Sequence, residues 1–215
     1  MTAERSVYVV GAGGHGRLLL DAWRLGENPD PVGFLDDDPA KKDLMIDGLR
    51  VLGSVRDNTD MIRGATLIMG IGAVDKPTVR LAAIDRLTEL GSEFATVTHP
   101  SAIISPAAQV GAGCTILAGV IVNRGARLGP FVTLYSGTIV EHDTEIGDHT
   151  QMAPGVVIAG NVRIGKRVFI GMGANISHGV EIGDDSVVGA GSVVLRDLSP
   201  NSRVAGVPAR PIPLH

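Results

Sequence analysis

Few of the 215 side chains are equipped to move a proton or hold an anion, and they fall in a handful of places. His142 is followed directly by Asp143, a pairing in which a carboxylate orients an imidazole and favours imidazolium as it forms. That makes His142 the best candidate for a general base. Near the N-terminus Gly11, Ala12, Gly13, Gly14, His15 and Gly16 spell G-x-G-x-x-G, whose glycines let backbone N–H groups approach a phosphate at a helix N-terminus. Asp36 lies twenty residues beyond Gly16 and is followed by Asp37 and Asp38, where an acidic group contacts a ribose or a base. Catalytic zinc needs three protein ligands, so a metal centre would require His142 and His178 to be joined by His149. No metal is expected. Cys114, the single cysteine, excludes an internal disulfide.

These groups need a frame, and the second half of the chain supplies one. Stepping by six from Ile104 to Val194 meets an aliphatic residue at all sixteen positions. Four residues after each of the first fifteen stands a small or β-branched residue, from Ala108 to Ser192, and Cys114 belongs to this inward series. A six-residue period fits neither a helix nor a heptad but suits short parallel strands joined by turns. Gly111, Gly129, Gly147, Gly165 and Gly183 recur every eighteen residues, which predicts a triangular coil of three hexads. About five coils, roughly 24 Å of stacked strands, are expected. His142 then sits two positions after the anchor Val140, at a corner facing away from the axis, with Gly160 one coil above it and His149 in a turn. Open faces and ends predict oligomerisation.

In front of the repeat, apolar strands are expected at 6–10, 31–35 and 65–71, with helices at 17–25 and 78–90. That is one mononucleotide-binding half, too short for a dehydrogenase with its own substrate domain. The predicted organisation is an α/β half-Rossmann-like domain at 1–92, an all-β parallel helix at 93–197 and a tail at 198–215. A formal net charge of −4 argues against a nucleic-acid partner. The uncharged stretch 94–123 contains His99, Pro100, Pro106 and three glycines, so no membrane span is expected there. The N-terminus lacks a secretory signal pattern, which points to the cytoplasm.

The segments GAGGHG, GFLDDDP, HPSAIISP, VEHDTEIGDH, APGVVIAGNVRIG, IGDDSVVGAGSVVLRDL and GVPAR, in that order, cover nearly the whole chain. Together they resemble the sugar-nucleotide acetyltransferases among the hexapeptide-repeat acyltransferases, a family that includes bacillosamine and perosamine N-acetyltransferases and sialic-acid O-acetyltransferases. The resemblance implies a left-handed parallel β-helix and a homotrimer with active sites between subunits. It implies acetyl-CoA as co-substrate and N-acetylation of a UDP- or GDP-linked 4-amino-6-deoxy sugar. By the same resemblance His142 is the base and Asp143 its partner, the Gly160 N–H meets the oxyanion, and no acyl-enzyme forms. Gly13, Gly14 and His15 would follow the phosphates and sugar, Asp36 and Asp37 the nucleoside, with Ile71 and Gly72 beside them.

Tyr135 would line the acceptor pocket, where relatives carry an asparagine. Gln151 stands where relatives often have a histidine touching acetyl-CoA. Met172 and Ala190, with Gly171 and Gly191, would meet pantetheine, and Lys166, Arg167, Arg196, Arg203 or Arg210 its phosphates. Rival readings are sugar O-acetylation, a γ-carbonic-anhydrase-like metalloenzyme and a noncatalytic sugar-nucleotide binder.

Overall fold

Strict hexad spacing turns into three flat parallel walls. The computed structural model describes residues 6–72 and 77–212, and the chain divides into two units, Met1–Val97 and Thr98–His215. In the second unit each hexad contributes a two-residue strand and a turn. One wall stacks Thr115–Ile116, Thr133–Leu134, Gln151–Met152, Phe169–Ile170 and Val187–Val188; the second includes Ile121–Val122, Ile139–Val140 and Val157–Ile158; the third includes Arg127–Leu128, Glu145–Ile146 and Arg163–Ile164. Pairings between the hexad strands of consecutive coils are parallel with an offset of eighteen residues, as in Ile139 with Val157, and the offset drops to sixteen at the last coil, where Val187 meets Arg203. The solenoid makes about six turns rather than five, because the chain keeps coiling past the last clear hexad: Arg203–Ala205 pairs in parallel with Val187–Val188.

The second residue of each strand points to the axis. Anchors from Ile116 to Val194 are buried, and only Ile104 and Val110 at the open first coil are partly covered. The small series fills the corners, and its polar members are satisfied by the coil above. Thr144 Oγ1 donates to Ala159 O at 3.1 Å, Thr150 Oγ1 to Gly165 O at 2.8 Å, and Cys114 Sγ to Gly129 O at 3.2 Å. Hydroxyl and thiol therefore do one job, capping a corner carbonyl fifteen residues ahead that would otherwise be buried unpaired. The eighteen-residue glycines answer a close approach: a Cβ on Gly147 would stand 2.6 Å from the Gly165 carbonyl carbon.

The first unit is a four-stranded parallel sheet in the order Gly33–Leu35, Val7–Val10, Thr66–Met69, Glu93–Phe94. Helix Gly14–Leu25 buries Leu19, Leu20 and Ala22, and a second helix spans Pro77–Glu89. The first helix starts three residues earlier than expected, inside the glycine motif. Gly16 is part of it because a side chain there would run into the Gly11 carbonyl, so helix and strand pack backbone to backbone. Two boundaries shift. Glu93–Phe94 pairs with Thr66–Leu67, which moves the first unit's end from 92 to Val97. Residues from 198 are no separate tail, since Arg203–Ala205 joins a wall and Arg210–Pro211 pairs antiparallel to it. The hairpin Met45–Ile46 with Leu49–Arg50 carried no sequence signal that was recognised.

Candidate functional sites: a glycine-turn cavity and a solenoid corner

In the first unit the chain leaves the strand Val7–Val10 through Gly11, at φ 96°, and enters the helix with Gly13 as an N-cap that makes no side-chain hydrogen bond. Gly13 and Gly14 are exposed, and a Cβ on either would meet nothing within 4 Å, so ligand access to this helix start is open. Asp36 is the brace of the turn. Its carboxylate accepts from Ala12 N–H at 2.8 Å, from Lys41 Nζ at 2.9 Å and from Asp38 N–H at 3.0 Å. Burial pushes the Asp36 carboxyl up, but these donors outweigh it and hold the group below its usual range. Asp36 thus braces the turn while also lining, with Asp37, the cavity beside it.

Asp37 is placed differently. Its Oδ1 accepts from Val55 N–H at 3.1 Å, and it lines a cavity of about 620 Å³ together with Gly11, Leu35, Val55, Ile71 and Ala82. Arg56 and Arg86 line the same cavity. Neither arginine was picked out from sequence, although Arg86 falls one turn beyond Ala82 on a helix whose span was foreseen. Behind the turn lies Arg80, 2% exposed, whose Nη1 donates to the carbonyls of Met69 and Ile71 and so pins the loop leading to Gly72. Gly72 approaches His15, with a virtual Cβ 3.8 Å from the His15 Cβ. Burial lowers the His15 pKa to about 4, and the charge of Arg80 adds to that, so the imidazole is neutral at pH 7.

In the second unit His142 stands on the corner between the second and third walls. Its Nδ1 is 3.0 Å from Asp143 Oδ2, and the His142 side chain is 49% exposed. Asp143 itself adopts φ 55°, the left-handed turn conformation that aims its carboxylate back at the ring. One coil up, a Cβ on Gly160 would fall 2.6 Å from His142 Nε2, 2.7 Å from Cε1 and 3.1 Å from Cδ2. The imidazole therefore lies flat on the bare Gly160 Cα. The Gly160 N–H, on the same corner, has no acceptor among the described residues. A base, its orienting carboxylate and an open backbone donor coincide there, which is the equipment of acyl transfer.

Other expected residues are spread over the remaining corners. Tyr135 is half-buried at the corner between the first and second walls, and its N–H donates to Met152 O at 3.0 Å. Met172, 61% exposed, and Ala190 stack one coil apart on that same corner. Above them Gly206 N–H donates to Ser192 Oγ at 3.2 Å, and Arg210 is the cross-strand partner of Ala205, so Arg210 ends this column, whereas Arg203 pairs with Val187 in mid-wall. The structure thus assembles Met172, Ala190 and Arg210 in one strip, and His142 with Gly160 in another, separated within one chain by the width of the second wall, while Arg203 lies in the mid-wall row of Phe169 and Val187.

Gln151 joins neither strip. It sits in mid-wall between Thr133 and Phe169, only 5% exposed. Lys166 and Arg167 are engaged by acidic neighbours: Lys166 Nζ donates to Asp148 at 2.8 Å, and Arg167 makes two bonds of 2.7 Å to Asp185. That leaves them poorly suited to phosphate. Arg196 is exposed. His149, at φ 60°, is a turn residue on the third corner and stacks on Phe131 at 5.1 Å, away from His142 and His178. Among the described residues no three His, Cys, Asp or Glu side chains group as a metal site, and no helix is long and apolar enough to cross a membrane.

Comparison with known proteins finds acetyltransferases of the same fold. Residues 6–87 match the PglD N-terminal domain, and residues 161–196 match the bacterial transferase hexapeptide (six repeats). The chain is 32% identical over 116 residues to UDP-N-acetylbacillosamine N-acetyltransferase of Bacillus subtilis (strain 168); that alignment takes in 53% of this chain and 52% of the relative, about half its length. Over whole chains, the fold is similar to PerB of Caulobacter crescentus, solved with CoA and GDP-perosamine: TM-score 0.88, 32% identity, 98% of this chain and 99% of that one. It is also similar to the acetyltransferase domain of PglB from Neisseria gonorrhoeae FA1090, solved with acetyl coenzyme A: TM-score 0.87, 26% identity, 98% and 100% coverage. With both halves matched in order and a relative of more than 30% identity aligned end to end, this chain belongs to the sugar-nucleotide acetyltransferases of the hexapeptide-repeat family.

Proposed function

We propose that the protein transfers an acetyl group from acetyl-CoA to the amine of a nucleotide-linked 4-amino-6-deoxy sugar. The observation that carries this reading is the His142 imidazole, braced by Asp143 and seated on Gly160 beside an open N–H. The uncharged amine attacks the thioester carbonyl carbon, forming a C–N bond while the C–S bond breaks. His142 accepts the amine proton and returns it to the leaving thiolate, so CoA departs as the thiol. The Gly160 N–H stabilises the tetrahedral oxyanion, and no acyl-enzyme is needed because Cys114 is wholly buried in packing.

Support from relatives is consistent: PerB was solved with CoA and GDP-perosamine, and PglB with acetyl coenzyme A. We extend the reading to a cytoplasmic homotrimer, in which the Met172–Arg210 strip of one subunit faces the His142 corner of the next and completes the site. The outer side of the second wall, with Ile103, Ile121, Ile139, Val157 and Val193 and interrupted only by the exposed Asn175, gives such contacts a mostly apolar surface. Gln151 then lies covered on the outer side of the first wall, away from the CoA strip, and Tyr135 borders that strip.

The test is steady-state thiol release from acetyl-CoA with nucleotide-linked amino sugars. His142→Ala should lower kcat by about 10² to 10⁴. A near-normal rate in that variant would refute the base assignment, and a product whose acetyl group is released by hydroxylamine would show an ester instead of an amide.

A further inference from the structure

We propose that the cavity of the first unit selects guanine, so that the acceptor sugar is carried by guanosine diphosphate. The inference rests on the nucleotide-sugar reading above and names the nucleotide. The cavity, about 620 Å³, is of the size that holds small ligands, and its walls are aliphatic, with Leu35, Val55, Ala82 and Ala83 offering surfaces for a flat base. Polar groups able to read a base edge are few.

Asp36 and the exposed Arg56 also line the cavity, but Ala12, Lys41 and Asp38 already bond the Asp36 oxygens. Asp37 remains. Val55 N–H fixes its Oδ1 at 3.1 Å, while Oδ2 has no partner among the described residues. Arg86 stands three and four residues beyond Ala83 and Ala82, hence on the same helix face. It is half-buried and makes no ion pair among the described residues. An acceptor-only carboxylate and a donor-only guanidinium therefore border one slot.

Base edges differ in how they meet that pair. Guanine presents the N2 and N1 donors side by side and then the O6 acceptor, which matches a carboxylate followed by an arginine. Uracil presents O2, N3–H and O4: it can satisfy the arginine and one carboxylate oxygen, but O2 faces the second carboxylate oxygen, acceptor against acceptor. Adenine places the N1 acceptor opposite the carboxylate. Hydrogen bonds to a charged group are strong enough to make each such mismatch roughly 10- to 100-fold in affinity.

Calorimetric titration of the full chain with GDP, inosine diphosphate, UDP and ADP tests this directly. GDP should bind most tightly, inosine diphosphate, which lacks only the N2 amine, about tenfold or more weakly, and UDP and ADP more weakly still. Asp37→Asn, checked by its thermal midpoint, should narrow the gap between GDP and UDP. UDP binding as tightly as GDP, or inosine diphosphate equalling GDP, overturns the proposal while leaving the nucleotide reading intact. Equal weakening of GDP and UDP by Asp37→Asn also overturns it and assigns Asp37 to the ribose hydroxyls. Binding of acetyl-CoA with no nucleotide bound at all would instead refute the nucleotide reading itself.

Discussion

A methyl group on Gly160 would press into the His142 ring, and this single contact links a turn residue to the proposed chemistry. The backbone at Gly160 does not need positive φ, so Gly160→Ala should fold normally. The half-exposed imidazole would swing out and lose Asp143, and kcat should fall towards the His142→Ala level with an unchanged melting temperature. A stability loss without a kcat effect would show that the glycine serves packing alone. His15 gives a second test at this scale. Its folded pKa of about 4 lies below the ordinary 6.5, so the unfolded chain binds the proton first as pH falls. The stability it contributes is complete above about pH 6.5 and is lost on the way down to 4, about 2 to 3 kcal/mol between pH 7 and 4.5. Urea unfolding of the first unit should show that acid loss in the wild type and a smaller one in His15→Gln. His142 was legible because a His-Asp pair at a corner position stands out in the hexad register. The bracing role of Asp36 was not legible because its donors Ala12 and Lys41 converge on it only in three dimensions.

Elements of the solenoid up to Val193–Val194 follow from spacing alone, since each strand's partner lies eighteen residues away, whereas the last coil pairs at sixteen and left no hexad to read. The anchor at the middle of such a stack has neighbours above, below and across the axis, and Ile158 is wholly buried. Ile158→Ala should cost about 2 to 5 kcal/mol, the range for deleting a large aliphatic from a core, readable as a lowered urea midpoint. A cost under 1 kcal/mol would mean that the stack relaxes around the hole. In the first unit the strands and both helices were visible, but the helix start was not. Gly14 to Gly16 read as turn residues by propensity, yet tight packing of Gly16 on Gly11 draws them into the helix. The hairpin at Met45–Arg50 was missed although Asp47-Gly48, at φ 47° and 82°, is the kind of two-residue turn that marks one; its two-residue strands, exposing Met45 and Arg50, gave no apolar alternation to draw attention to it.

For the whole molecule, the consequence of the proposed trimer is that the second wall is covered in the assembly. Ile139→Asp points a charge out of that wall without touching the axis, because its neighbour Val140 holds the core position. Light scattering should then show a shift from three chains towards one, together with loss of acetyl transfer. A monomeric wild type of full activity would remove the assembly from the mechanism. The sequence by itself determined the walls, the inward residues, the glycine turn, and His142 at a corner. Those properties depend on neighbours six or eighteen residues apart and repeat, so periodicity records them. Tertiary structure alone decided that Gly160 is the floor under His142, that Asp36 is a brace while Asp37 opens onto the cavity, that Arg80 pins the Ile71 loop, and that Gln151 is buried in mid-wall. Most of these depend on side chains meeting across unrepeated separations. Gln151 sits in register, yet the period records which way a side chain points and not what covers it.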